Sequence, residues 1–79
     1  MKVQFDRRHD LLYVQYAAAP SVRQERRGDD RVIDYAADGS IVGVEFLAPS
    51  RGIDLSGTPQ DADVETALTR LGLAIRTRA

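Results

Sequence analysis

The chain has no cysteine and no tryptophan, a single histidine, and only three tyrosines and two phenylalanines among its 79 residues. Without cysteine it can form neither disulfides nor thiolate metal sites, which fits a reducing compartment. Residues 1–10 lack the apolar core of a signal peptide. No apolar run approaches the length that spans a bilayer. The sequence therefore predicts a cytoplasmic protein with no membrane segment.

An excess of charge of one sign is also lacking. The net charge of −1 argues against a general nucleic-acid binder. Residues 32–69 hold Arg51 as their one basic residue against seven acids, so the other basic residues lie before and after this segment. This distribution is typical of solvated faces, and the alternative is a basic edge that meets an acidic partner. A nucleic-acid role would need one set of arginines on one face beside stacking aromatics: Arg7, Arg8, Arg23, Arg26 and Arg27.

The strongest local signal is a β-hairpin between Arg31 and Leu47. Asp38-Gly39 is typical of a two-residue turn, because both central residues of a type I′ turn need positive φ. A turn centred there predicts three cross-strand pairs: Ala37 with Ser40, Tyr35 with Val42, and Ile33 with Val44. Side chains alternate along a strand, so one hairpin face is wholly apolar and is the predicted core: Ile33, Tyr35, Val42, Val44 and Phe46.

The residues before this hairpin predict two more strands and one ambiguous segment. Residues 2–6 (KVQFD) and 11–17 (LLYVQYA) alternate between apolar and polar, and the short polar connection between them is typical of a hairpin. Pro20 ends the pattern, because proline cannot donate a hydrogen bond to a sheet. Residues 21–27 (SVRQERR) are polar enough for either an exposed edge strand or a loop.

The residues after the hairpin predict a helix over about residues 59–71. Thr58 is a good N-cap, Pro59 suits the first helical position, and Asp61 lies where a capping-box acid would lie. One apolar stripe recurs at helical spacing: Val64, Ala67, Leu68 and Leu71. Gly72 is the predicted residue just beyond the helix end.

These elements predict an α+β fold in one domain of residues 1–79. The sheet is antiparallel with four or five strands, and one C-terminal helix packs its apolar stripe on one face. Short extended pieces are predicted at residues 53–55 and 73–77. A chain of this length buries only about two thirds of its unfolded surface, so its elements must pack closely or associate with a partner.

The sheet face opposite the predicted core is mixed, and we call it the second face. Its apolar residues and one glycine form the candidate interface: Leu11, Tyr13, Val32, Ile41, Gly43 and Leu47. Glycine inside a strand indicates either a bulge or close approach by another group, and the approaching group would be Tyr13 or a second subunit. One helix cannot cover both faces, so either the C-terminal segment wraps the second face or another molecule covers it. We expect a homodimer with two-fold symmetry, and a different protein partner is the alternative.

Two stretches carry a family resemblance: Asp6-x-x-x-Asp10-x-Leu12-Tyr13-Val14 and Val32-Ile-Asp34-Tyr35-x-x-Asp38-Gly39-x-Ile41-Val42-Gly43-Val44-Glu45-Phe46-Leu47. Over about residues 2–50 the chain resembles the DUF2283 family, small prokaryotic domains of unknown function. Residues 52–77 are similar to a strand–helix extension of some members. The resemblance implies an antiparallel sheet with a helix and supplies no established activity. Some members look like partners of small toxin-like proteins, which implies an antitoxin or accessory role. The chain departs from the family at Ala48, where many members carry an acidic or amide residue.

Two groups of polar residues are candidates for chemistry. Asp6, His9 and Asp10 could form a metal or hydrolytic site in which a carboxylate orients the histidine. We favour the alternative that both aspartates fix the first turn and that His9 is an exposed turn residue. The second group is acidic: Asp29, Asp30, Asp34, Asp38 and Glu45. Paired carboxylates can perform acid–base chemistry, but acids on a solvated strand face are the commoner case.

No nucleophile, ligand spacing or cofactor motif stands out, so we predict no catalytic residue, no metal site and no cofactor. The predicted function is a non-catalytic protein-interaction or dimerisation module. Two alternatives stay open. One is an antitoxin-like partner of a small toxin, and the other is a small metal-binding or hydrolytic domain that uses Asp6, His9 and Asp10.

Overall fold

A five-stranded antiparallel sheet dominates the computed structural model, which describes residues 2–59 and 62–77. Its strands run in the spatial order β1-β2-β5-β4-β3. Their bounds are β1 (Lys2–Asp6), β2 (Leu11–Gln15), β3 (Arg23–Arg27), β4 (Arg31–Tyr35) and β5 (Ile41–Leu47). The predicted α+β class and antiparallel sheet are confirmed. The ambiguous polar segment contains an exposed edge strand, β3, which is accordingly rich in charge.

The chain after the sheet forms a short 3-10 helix and three further elements. The 3-10 helix spans Pro49–Arg51, and β6 (Ile53–Asp54), α1 (Ala62–Arg70) and β7 (Ile75–Thr77) follow. Strands β6 and β7 pair in parallel as a separate two-stranded sheet. Both extended pieces predicted from the sequence therefore contain strands. Within the described residues, no helix has the length and apolar character needed to cross a membrane.

The described part of the helix begins at Ala62, three residues after the predicted start at Pro59. The predicted capping acid Asp61 lies outside the described residues. Thr58, the predicted N-cap, is buried and its hydroxyl donates to the carbonyl oxygen of Leu55 at 2.6 Å. A buried threonine at this point fixes the entry of the chain into the helix region.

The helix ends at Arg70, and Gly72 lies just beyond its end as predicted, with a φ of 78°. The amide of Leu73 donates to the carbonyl of Leu68 and the amide of Gly72 donates to that of Thr69, at 3.0 Å in each case. These two bonds form a Schellman motif, which needs a left-handed residue where Gly72 lies. Leu73 thereby turns back into the core beside Leu68.

The core lies between the predicted apolar face of the sheet and the C-terminal segment. One cluster joins sheet residues to residues of β6, α1 and the flanking loops: Leu12, Val14, Ile33, Tyr35, Val44, Phe46, Ile53, Leu55, Val64, Leu68 and Leu73. Burying an aliphatic side chain of this kind stabilises the fold by about 1.5–3 kcal/mol before entropy is subtracted. The described part of the C-terminal segment thus covers the core face, and it does not wrap the second face.

The central hairpin differs from its prediction at the turn. Ile33 does pair with Val44, but Tyr35 pairs with Ile41 instead of Val42, because the register shifts by one residue between Asp34 and Tyr35. The amide of Ala36 donates to the carbonyl of Ser40 at 2.9 Å, so three residues form the loop. The predicted Ala37–Ser40 pair is therefore wrong.

The turn type explains this difference. Gly39 has a φ of 85°, whereas Asp38 is not among the residues with positive φ. This is the pattern of a three-residue loop that ends in a left-handed glycine, not of a type I′ turn. The Asp38 carboxylate accepts both the amide (2.9 Å) and the hydroxyl (2.6 Å) of Ser40. The hydroxyl bond, and then the amide bond, hold the pKa of Asp38 below its ordinary value.

A buried arginine fastens the C-terminal segment to β4. Arg31 is only 8 % exposed. Its guanidinium donates to the carbonyl of Ser56 and lies 3.5 Å from the carboxylates of Asp30 and of Asp54. Arg76 of β7 pairs with the same Asp30 at 3.3 Å. The network joins β4, β6 and β7, and no local sequence pattern indicates it.

Candidate interaction surface

The strand register arranges the second face in rows that cross the sheet. Tyr13 lies opposite Glu45, and Glu45 lies opposite Val32. In the outer row Leu11 lies opposite Leu47. All five side chains are partly buried. The structure thus brings together five of the six candidate interface residues: Leu11, Tyr13, Val32, Gly43 and Leu47.

Ile41 differs from its prediction. It packs against the core cluster on the opposite side of the sheet. The register shift near Tyr35 places Ile41 and Val42 together opposite that one residue, and a bulge of this kind turns an extra side chain toward the face of its neighbour. The second face consequently ends at Gly43 on this strand.

Gly43 provides the space for Tyr13 on the second face. A Cβ built on Gly43 would lie 2.5 Å from Cζ of Tyr13 and 3.0 Å from the carbonyl oxygen of Val14. Real Cβ atoms do not tolerate such distances to a well-packed ring. Of the two approaching groups predicted from the sequence, the structure identifies Tyr13.

The Tyr13 ring reaches across Gly43 to a buried carboxylate. Its hydroxyl donates to Oδ2 of Asp34 at 3.0 Å, and Nε2 of Gln24 donates to Oδ1 of the same carboxylate at 2.7 Å. Asp34 is only 9 % exposed. Partial burial, followed by the hydrogen bond to Asp34, raises the pKa of Tyr13 above its ordinary value. The three side chains form one polar bridge from β2 to β3.

A shallow depression of about 260 Å³ lies beside this bridge. It is lined by residues of β1, β2 and β5: Gln4, Phe5, Asp6, Leu11, Leu12, Tyr13 and Glu45. Among the described residues, no lysine or arginine forms an ion pair with Glu45 or with Asp34. The depression thus combines apolar side chains with Glu45, which forms no ion pair within the described part of the chain.

The alternative site at the first turn is engaged in structural contacts. Asp6 accepts the amide of His9 at 3.1 Å and approaches its Nδ1 at 2.8 Å. The bond from that amide, and then the one from the ring, lower the pKa of Asp6. His9 and Asp6 are both largely exposed. Asp6 does orient the histidine, as the catalytic alternative requires, but His9 is not among the residues that line the depression beside Asp6.

Asp10 serves the turn and the 3-10 helix that packs beside it. It has a φ of 53°. Its carboxylate accepts the amide of Ser50 at 3.1 Å and the hydroxyl of Ser50 at 2.5 Å. Asp6 therefore fixes the first turn as expected. The carboxylate of Asp10 instead joins this turn to the distant 3-10 helix. Among the described residues, no group of three His, Cys, Asp or Glu side chains is arranged to hold a metal ion.

Several other charged groups have local partners of their own. Asp38 binds Ser40 and Asp30 binds two arginines, as described above, while Asp29 lies exposed in a turn. On β3, the guanidinium carbon of Arg23 lies 4.1 Å from the centroid of the Tyr35 ring. The same guanidinium forms an ion pair with Glu25, with Nη1 3.2 Å from Oε2. The acidic group predicted from the sequence is thus dispersed, and Arg23 is engaged within the chain.

Comparison with known proteins found a match to one protein family. The family model described as "Protein of unknown function (DUF2283)" matches residues 2–50, which span all five strands of the main sheet. A search of curated proteins and a search of solved structures each returned no significant match.

Proposed function

The chain belongs to the DUF2283 family, and we propose that it serves as a non-catalytic protein-interaction module. One observation carries the proposal. The second face presents partly exposed apolar side chains, and the described helix and C-terminal strands all pack on the other side of the sheet. Apolar surface of this kind marks an interaction site when no element of the same chain covers it.

The carboxylate of Glu45 supports one kind of partner. Glu45 lies between Tyr13 and Val32 on the central strand, and it has no cation among the described residues. A partner that covered Glu45 with apolar groups alone would bury an unpaired carboxylate, which is costly. The partner segment therefore carries an arginine or lysine next to an apolar side chain, so that the cation meets Glu45 while the apolar group fills the depression at Leu11.

The same carboxylate disfavours stacking of two identical copies through this face. Strand β5 is the central strand of the sheet. A two-fold axis through its middle would bring the two Glu45 carboxylates together in an apolar contact, and like charges across an interface are unfavourable. The homodimer expected from the sequence stays a prediction, and its contact is better placed elsewhere on the molecule.

Two further points belong to this proposal. The chain has no cysteine, so we place it in a reducing cytoplasm, and the family resemblance suggests a prokaryotic source. The antitoxin-like role is the special case in which the partner is a small toxin. The metal-binding or hydrolytic alternative receives less support, because Asp6 and Asp10 already accept hydrogen bonds from His9 and Ser50.

The proposal is tested with a displayed library of random peptides selected on the immobilised chain. We expect enriched peptides to pair a basic residue with a neighbouring apolar one. Their binding should weaken on Glu45→Gln and stay unchanged on Glu65→Gln, which makes the same chemical change on the helix. Lack of enrichment, or binding that both variants leave unchanged, would contradict the proposal.

A further inference from the structure

We propose that the edge strand β1 pairs with β1 of a second copy, antiparallel and about a two-fold axis at Gln4. The inference concerns the edge of the sheet and not the second face, so it does not depend on the proposed function. It rests on which strand ends the sheet and on how the charges of that strand are spaced.

Strand β1 is an edge that could accept a further strand. It is the first strand in the spatial order, and β2 is its one hydrogen-bonded neighbour among the described elements. An edge strand presents a row of unpaired backbone N–H and C=O groups, which is a template for another strand. Its polar residues Lys2, Gln4 and Asp6 are exposed, whereas Val3 and Phe5 pack partly into the core.

The sequence of β1 is complementary to itself in one antiparallel register. With Gln4 opposite Gln4, Lys2 of each copy lies opposite Asp6 of the other, which gives two symmetric ion pairs on the second face. On the core face, Val3 lies opposite Phe5 twice. Opposite charges and apolar groups that face each other directly across strands are the pairs that stabilise a sheet, and a two-fold contact needs this kind of self-complementarity.

Asp6 can take part in such a pair without losing its contact with His9. Its two carboxylate oxygens accept the amide and approach the ring nitrogen of that histidine. An ionised carboxylate has about four acceptor positions, so room remains for the ammonium group of Lys2 from a second copy. The turn contact holds the carboxylate in place at the end of the strand.

Strand β3, at the other edge of the sheet, is not complementary to itself. If β3 paired with itself about Glu25, the two glutamates would face each other and Arg23 would face Arg27. Like charges directly opposite destabilise a sheet, and charged edges of this type are a common protection against edge-to-edge association. The two edges therefore point to a closed dimer through β1 and not to an extended fibre.

Pairing through β1 would also join the two second faces. An antiparallel edge contact about an axis normal to the sheet keeps the same face of both copies on the same side. The result is a continuous sheet across both copies, whose Lys2–Asp6 pairs lie at the seam between two depressions. The contact strand is short, so the association is expected to be reversible and concentration-dependent.

Sedimentation of the full chain over a concentration series tests the pairing. We expect the mass to approach that of a dimer as the concentration rises. Lys2→Asp should weaken dimerisation by about tenfold or more, because it places an aspartate opposite Asp6 at both ends of the contact. Arg51→Asp makes the same change in net charge away from the edge and should have no effect. An equimolar mixture of Lys2→Asp and Asp6→Lys should dimerise, as should the Lys2→Asp/Asp6→Lys double variant.

Hydrogen exchange on the unmodified chain provides a second measurement that does not depend on the folding of Asp6→Lys. Those amides of residues 2–6 that do not already bond to β2 should become protected as the concentration rises, while the amides of residues 23–27 should not. A chain that stays monomeric throughout, a dimer equally sensitive to Lys2→Asp and Arg51→Asp, or protection that appears on β3 instead would overturn the proposal. Glu45→Gln should leave the dimer unchanged, which separates this test from that of the proposed function.

Discussion

The ring of Tyr13 lies directly over Gly43, and a side chain at position 43 could not share that space. From there the tyrosine hydroxyl reaches Asp34, one strand further on. A glycine in the central strand thus lets an aromatic ring lie along the sheet and close a polar bridge across it. This bridge sets the shape of the second face, because it holds the ring in place beside Glu45 and Leu11.

The first prediction concerns this contact. Gly43→Ala should displace Tyr13 and lower the free energy of unfolding by about 1–3 kcal/mol, the usual cost of overpacking. Thermal and denaturant unfolding measure the loss. In a Tyr13→Ala background the same substitution should cost clearly less, because the obstructing ring is absent. Equal losses in the two backgrounds would show that Tyr13 is not what excludes a side chain there.

The second prediction concerns pH. The hydroxyl of Ser56, then its amide, and then the charge of Arg31 hold the pKa of Asp54 below the ordinary value of 3.8. A carboxyl whose pKa is lowered by folding stabilises the fold above the unfolded pKa, and this contribution is lost as the pH falls through the folded pKa.

Asp54→Asn should accordingly lower the melting temperature at neutral pH. The difference from the unmodified chain should narrow as the pH falls below 3.8. Asp29→Asn changes an exposed turn aspartate and serves as the control. It should leave the melting temperature nearly unchanged at neutral and at acidic pH. A difference that stays constant down to strongly acidic pH would mean that the charge of Asp54 is not the stabilising feature.

The third prediction concerns Ala48, which has a φ of 51°. The left-handed region costs an L-residue with an ordinary side chain roughly 1–2 kcal/mol, and asparagine and aspartate tolerate it best. This conformation gives a physical reason for the acidic or amide residue that the family resemblance implies at this position. Ala48→Asn should therefore raise the melting temperature, whereas Ala37→Asn in the hairpin loop, where φ is not positive, should not. If both variants behave alike, the backbone explanation fails.

The fourth prediction concerns the first turn. Asp10→Ala should reduce stability by about 1–2 kcal/mol, because Ser50 loses a capping carboxylate. Calcium added to the unmodified chain should leave the melting temperature unchanged. A rise that disappears in Asp10→Ala would instead restore the metal-binding alternative.

Local sequence pattern predicts the parts of the fold that local physics determines. Alternation of apolar residues identifies the core face of the hairpin, and Gly72 identifies the helix end. The turn differs from its prediction because Asp38-Gly39 suits both a two-residue turn and a three-residue loop that ends in a left-handed glycine. That one-residue difference produces the register shift that moves Ile41 to the core.

Local sequence pattern does not predict the contacts between segments that are distant along the chain. Gly43 is recognisable as a point of close approach, and Tyr13 is one of two candidates for the approaching group. The contribution of Gln24 needs the register of β3 against β4, which a polar segment does not specify. The partners of Arg31 are equally hidden, because Ser56 lies 25 residues further along the chain.

The most direct test of the central claim is site-specific photo-crosslinking in the native host. A photoreactive residue replaces Val32 on the second face or, as the control, Thr66 on the exposed side of the helix. We expect position 32 to give one discrete adduct that Glu45→Lys abolishes, and position 66 to give none. A small toxin in that adduct would specify the antitoxin-like role. Adducts that form equally at both positions, or an adduct at position 32 that Glu45→Lys leaves intact, would contradict the claim that the second face is the docking surface.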